Sequence, residues 1–96
     1  MELQFRPERL ALIRTDRAHE LGLPEGVVKA ARRKLDFIEA APDERSLRNW
    51  KSLNFKELKG FDDGRKQIRV NDQYRIVMLI EGEPPIATVI EIGDTH

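Results

Sequence analysis

Between positions 45 and 75 the chain carries nine Lys or Arg residues against four Asp or Glu. Arg69 and Arg75 stand on either side of Asn71-Asp72, a pair with turn chemistry. Period-two alternation opposes Arg69 to the Ile68/Val70 face and Arg75 to the Tyr74/Ile76 face. Arg75 falls within an otherwise apolar run, where a charge needs a partner or a cleft. Lys56 and Lys59 flank Leu58 before Gly60, and Arg65-Lys66 follow Gly64. If these strands are neighbours, four to six cations converge on one sheet surface. Such a surface suits a polyanion such as RNA. The rival reading is a solvated basic face balanced by acids elsewhere: residues 76–96 hold four Asp or Glu and no Lys or Arg, and the whole chain is neutral.

Two histidines are present. His19 sits beside Glu20 and reads as a surface or helix-end residue. His96 follows Gly93-Asp94-Thr95 directly after a strand pattern, and reads either as an end residue or as a site residue. There is no Gly-rich phosphate loop, no metal-spaced cluster, and no Ser or Cys nucleophile with a His nearby in sequence. No cofactor and no metal are expected. The absence of Cys excludes a disulfide scaffold and a cysteine zinc site. Phe55, Phe61 and Tyr74 are the only aromatics near the cations, too few for a stacking platform.

The elements that position these residues follow from periodicity. Ninety-six residues, 40% hydrophobic and 35% charged, predict one domain over 1–96 with a modest core. No apolar run approaches the roughly 20 residues of a membrane span, and no leader pattern opens the chain, so a cytoplasmic protein is expected. Glu2–Phe5 predicts a short strand, and Arg6-Pro7 a helix with Leu10 and Ile13 buried, ending by Gly22. Pro24-Glu25 opens a second helix, stopped by Pro42, with Val27, Val28, Ala31, Leu35 and Ile38 on its buried stripe. Asp43 caps a further turn through Leu47 and Trp50. Beyond Trp50, alternation predicts strands at Leu53/Phe55, at Ile68/Val70, over residues 74–80, and at Ile86/Thr88/Ile90/Ile92. Residues 76–80, apolar on both faces, mark a central strand. The fold class is α+β: two N-terminal helices packed on one face of a curved antiparallel sheet.

Leu58-Lys59-Gly60, Gly64, and Gln67 through Ile76, closed by Asp94-Thr95-His96, resemble the core motif of the HigB toxins. These belong to the RelE/ParE superfamily of bacterial type II toxin–antitoxin systems. The resemblance covers nearly the whole chain. It implies a microbial-RNase-like fold, ribosome-dependent and metal-free cleavage of mRNA, and a cognate antitoxin. That partner would be a HigA-like helix-turn-helix protein, with operator DNA contacted only through the complex and no membrane involved. Arg75 matches the family's functional Arg, Lys59 the Lys of Leu-Lys-Gly, and Asp94 and His96 the C-terminal pair. Lys56 stands where many members have His, Thr95 where many have Tyr, and Phe61-Asp62-Asp63 where a basic residue is common.

On this reading Arg75, His96, Asp94 and Lys59 form the catalytic set. Lys56, Arg69, Lys66, Arg65, Arg45, Arg48 and Lys51 bind mRNA and the ribosome. The rivals are a ParE-like toxin acting on gyrase through a protein interface, and a non-catalytic partner of the antitoxin in repression.

Overall fold

The longest helix forms where the apolar stripe was densest. In the computed structural model, which describes residues 1–94, α1 spans Glu25–Ala40 and buries Val27, Val28, Ala31, Leu35 and Ile38, the five residues expected. The Pro24 carbonyl accepts from the Val27 and Val28 amides, and Pro42 prevents continuation. A short helix α2, Glu44–Asn49, follows, its N-terminus capped by Asp43, whose carboxylate accepts from the Ser46 amide at 3.0 Å.

The first helix differs from expectation. It consists of two 3₁₀ segments, Glu8–Arg14 and Ala18–Leu21. Thr15 separates them: its hydroxyl donates to the Leu12 carbonyl and accepts from the Arg17 amide, competing with helical bonding. The Arg32 guanidinium then takes the carbonyls of Ile13 and Thr15, fastening this segment to α1. Gly22, at φ 72°, ends it.

Five strands form one sheet: β1 Glu2–Phe5, β2 Lys56–Glu57, β3 Lys66–Arg69, β4 Tyr74–Glu81 and β5 Ile86–Asp94, in the order β1-β5-β4-β3-β2. The sheet is mixed rather than wholly antiparallel, because β1 pairs parallel with β5. No hairpin joins those strands; the helical front makes the long crossover that parallel pairing requires. The strand predicted at Leu53/Phe55 does not form at those residues; β2 begins at Lys56. Leu53 closes a 3₁₀ turn, Lys51–Leu53, and Asn54 adopts a left-handed conformation at φ 50°.

β4 is central, with Ile76 and Met78 buried against the helices and Val77 and Leu79 buried on the opposite face. On β5 the alternation is broken by a bulge opposite Val77/Met78, so that Ala87, Val89 and Ile92 are buried instead of one unbroken even-numbered set. The bulge turns Glu91 to the face of Val77 and Arg75, away from the helices.

Candidate functional site

The hairpin joining β3 to β4 sets the geometry. The Asn71 carboxamide oxygen accepts from the amides of Gln73 and Tyr74, each at 2.8 Å, fixing the turn. Register then pairs Arg69 with Arg75 and Gln67 with Val77, all on the face away from the helices. Lys56 on β2 pairs with Gln67 and joins this face. Like charges directly across a ladder repel, and each Arg here has a counter-charge. Arg69 pairs with Asp72, and Arg75 Nη2 lies 3.3 Å from Glu91 Oε1.

Arg75 is held at two points. Its Nη1 donates to Gln67 Oε1 at 3.1 Å, its Nη2 to Glu91, and its buried Nε has no hydrogen-bond partner among the described residues. An unpaired buried N–H is costly and persists where something else takes it up. Beside it opens a cleft of about 450 Å³, lined by Lys56, Gln67, Arg69, Tyr74 and Arg75 together with Asn54 and the Asn71-Asp72 turn. Asp94 lies across the ladder from Tyr74 and accepts from Gln73 Nε2 at 3.0 Å, and it does not line the cleft.

Of the residues singled out in the sequence, Arg75, Arg69 and Lys56 come together in this cleft. Lys59 does not line it; it stands exposed in the turn after β2. Lys66 points to the helix side of β3, donating to the Gly64 carbonyl at 2.6 Å and approaching Glu57 at 3.6 Å. Arg65 is tied to Asp63 at 2.7 Å and stacks over Phe61 at 4.1 Å from the ring centre. That hydrogen-bonded pair raises the guanidinium's affinity for its proton and holds the Asp63 carboxyl below the usual carboxylate range. Arg48 is paired with Glu44 at 2.8 Å and lies over Phe55. Arg45 and Lys51 are exposed. His96 and Thr95 fall outside the described residues.

Sequence reasoning missed Gln67 and Glu91, the two residues that hold Arg75. A hairpin centred on Asn71-Asp72-Gln73 fixes 67 opposite 77, so Gln67 was recoverable. Glu91 was not, because the β5 bulge sets its face.

A fixed guanidinium stands beside two further cations in a polar cleft, on the sheet of an α+β domain backed by helices, a chemistry suited to an anion. The family model of the HigB-like toxin, the RelE-like toxin of the type II toxin–antitoxin system HigB, matches residues 3–88. Toxin HigB-1 of Vibrio cholerae serotype O1 is 36% identical over 78 residues, 80% of this chain and 81% of that protein. A solved YoeB/ParE toxin from Agrobacterium tumefaciens shares the fold, with a TM-score of 0.56 over the full length of both chains at 18% identity. The chain belongs to the HigB-like toxins of type II toxin–antitoxin systems. A cognate antitoxin is the partner this membership implies.

Proposed function

We propose that the protein is an endoribonuclease that cleaves mRNA on the ribosome, with the cleft around Arg75 as its phosphate site. The observation that carries this reading is the Arg75 side chain, oriented by Gln67 and Glu91 with its Nε buried and unpaired beside the cleft. In the reaction, a ribose 2′-OH attacks the adjacent phosphorus in line with the 5′-oxygen. The O2′–P bond forms as the P–O5′ bond breaks, giving a cyclic phosphate and a 5′-hydroxyl. The 2′-proton passes to a base and a proton is delivered to O5′.

Arg75 would stabilise the charge on the pentavalent phosphate, because its guanidinium is permanently charged and geometrically matched to two oxygens. Lys56 and Arg69 add positive charge in the same cleft. His96, of a residue type with a reference pKa of ~6.5, would serve as acid or base, with Asp94 as its partner in the family motif. This role is carried by the family motif. Lys59, together with Arg45, Lys51 and the ion-paired Arg48, Arg65 and Lys66, would meet the mRNA and ribosomal RNA backbone outside the cleft.

A primer-extension map of transcripts after brief induction tests the reading. Discrete new 5′ ends within translated regions support it. Growth arrest with intact transcripts and altered DNA supercoiling would replace it with action on gyrase.

A further inference from the structure

β1 closes one end of the sheet, so one side of it pairs with β5 and the other with no strand among the described residues. The ladder fixes which backbone groups face outward. The Arg6 amide donates to the Val89 carbonyl at 2.9 Å, on the β5 side. In a paired strand alternate residues turn both backbone groups towards the same neighbour. Glu2 and Gln4 therefore share the direction of Arg6, and Leu3 and Phe5 point their amides and carbonyls away from β5. A recess of about 470 Å³ opens beside them. It touches Gln4, on the exposed face, and Phe5, packed against the helix-side core, together with Glu8 and Ala11 of the first 3₁₀ segment. A space that meets residues of both faces runs along the strand edge itself. The other end of the sheet offers less: β2 is two residues long, and its Lys56 belongs to the cleft.

The segment Glu2-Leu3-Gln4-Phe5-Arg6 is complementary to itself. Laid antiparallel about Gln4, it sets Glu2 opposite Arg6, Leu3 opposite Phe5 and Gln4 opposite Gln4. Only residues that both point outward can exchange backbone hydrogen bonds. Leu3 with Phe5 is such a pair, and it occurs on each side of Gln4, so every outward amide and carbonyl of the strand is used. A slip by two residues puts Leu3 against Leu3, or Phe5 against Phe5, and leaves the other without a strand partner. It also moves Glu2 away from Arg6. Both charges are exposed and form no ion pair among the described residues; the Glu2 carboxylate accepts only from Gln4 Nε2, at 2.8 Å. Opposite charges directly across a ladder attract, and an aliphatic–aromatic pair adds packing. Charged side chains commonly guard an edge strand. Here the two charges are of opposite sign and match a second copy of the same edge.

We propose that two copies of the chain join along β1, antiparallel about a twofold axis at Gln4, with Glu2 of each copy paired to Arg6 of the other. The inference goes beyond the ribonuclease reading and does not depend on it. The clefts stand at the far ends of the joined sheet, so both stay open. A contact of this length belongs to the weak, transient class.

The chain has no Cys, so one introduced thiol reports on proximity alone. In the proposed register Gln4 faces Gln4 as a non-hydrogen-bonded pair, with Cα atoms about 4.5 Å apart, within the span of a disulfide. Full-length Gln4→Cys, purified free of antitoxin, should oxidise to a covalent dimer at least about 10-fold faster than Arg33→Cys, exposed on α1. Sedimentation of the wild type should show dimer at about 500 μM and monomer at about 1 μM. Glu2→Arg and Arg6→Glu should each lose that dimer with unchanged circular dichroism. Mixing the two variants should restore it, because each then supplies the charge the other lacks. Equal oxidation of the two Cys variants, or a wild type that stays monomeric at the higher concentration, would overturn the proposal. So would folded charge variants that self-associate as the wild type does, or that fail to associate when mixed. The thiol comparison and the wild-type sedimentation decide the matter even where a charge variant does not fold.

Discussion

Arg75 concentrates the residue-scale argument, because two neighbours fix it and one nitrogen is left unpaired. Arg75→Ala should abolish growth inhibition while leaving the circular dichroism spectrum and solubility unchanged. Loss of such a contact typically lowers a rate about 100-fold, close to 3 kcal/mol. Continued growth arrest by soluble Arg75→Ala at wild-type abundance would remove Arg75 from the mechanism. Gln67→Leu keeps the charge and the bulk but frees one side of the guanidinium. It should reduce the cleavage rate by roughly 10- to 100-fold with little change in apparent RNA affinity, since misplacement rather than loss of charge is the defect. An equal drop in affinity would show that Gln67 contacts RNA itself. That Arg75 needs a partner was legible in the sequence as a charge inside an apolar strand. Its counter-charge was not, because strand alternation alone cannot say on which side of a bulge Glu91 falls.

At the scale of elements, legibility followed periodicity. α1 and β4 were readable because each carries four or more apolar residues at a fixed period. The 8–21 segment misled because Leu10 and Ile13 are spaced equally well for 3₁₀ and α geometry, and Thr15 then decides against continuation. Two predictions belong here. Asp43→Ala removes the α2 cap and should lower stability by about 1 kcal/mol in chemical denaturation. The second concerns acid. Arg14 joins the first 3₁₀ segment to α1 through Glu39 at 2.8 Å and Asp36 at 3.1 Å. Its hydrogen bond to Glu39 holds that carboxyl below the usual range. A depressed carboxylate contributes stability above its unfolded-state pKa and loses that contribution as pH falls through the folded one. Denaturation midpoints should therefore drop on acidification below ~4, and Arg14→Ala should show a shallower drop. Identical slopes for both proteins would mean that the pair contributes nothing to acid sensitivity.

For the whole molecule, charge is segregated: the basic stretch from 45 to 75 supplies the cleft and its surroundings, while β5 and its approach supply acids. Three cations in one cleft and a single lining ring, Tyr74, are a small set for holding a flexible dinucleotide in line. Positioning can contribute roughly 7–11 kcal/mol to a barrier, and a ribosome-fixed message would supply much of it. Single-turnover cleavage of one message should be fast on ribosomes and slow on naked RNA, and the ribosomal reaction should weaken steeply with salt. Equal rates on both substrates would make the protein a free ribonuclease. The pairing of β1 with β5 carries a consequence for synthesis. Residues 2–5 are made roughly eighty residues before their strand partner, residues 86–89. Non-local pairing of this kind forms late. Glu91, which holds Arg75, lies further along the same strand. Until residues 86–91 have left the exit tunnel, a nascent chain therefore has neither its first strand paired nor the Glu91 counter-charge of Arg75 in place.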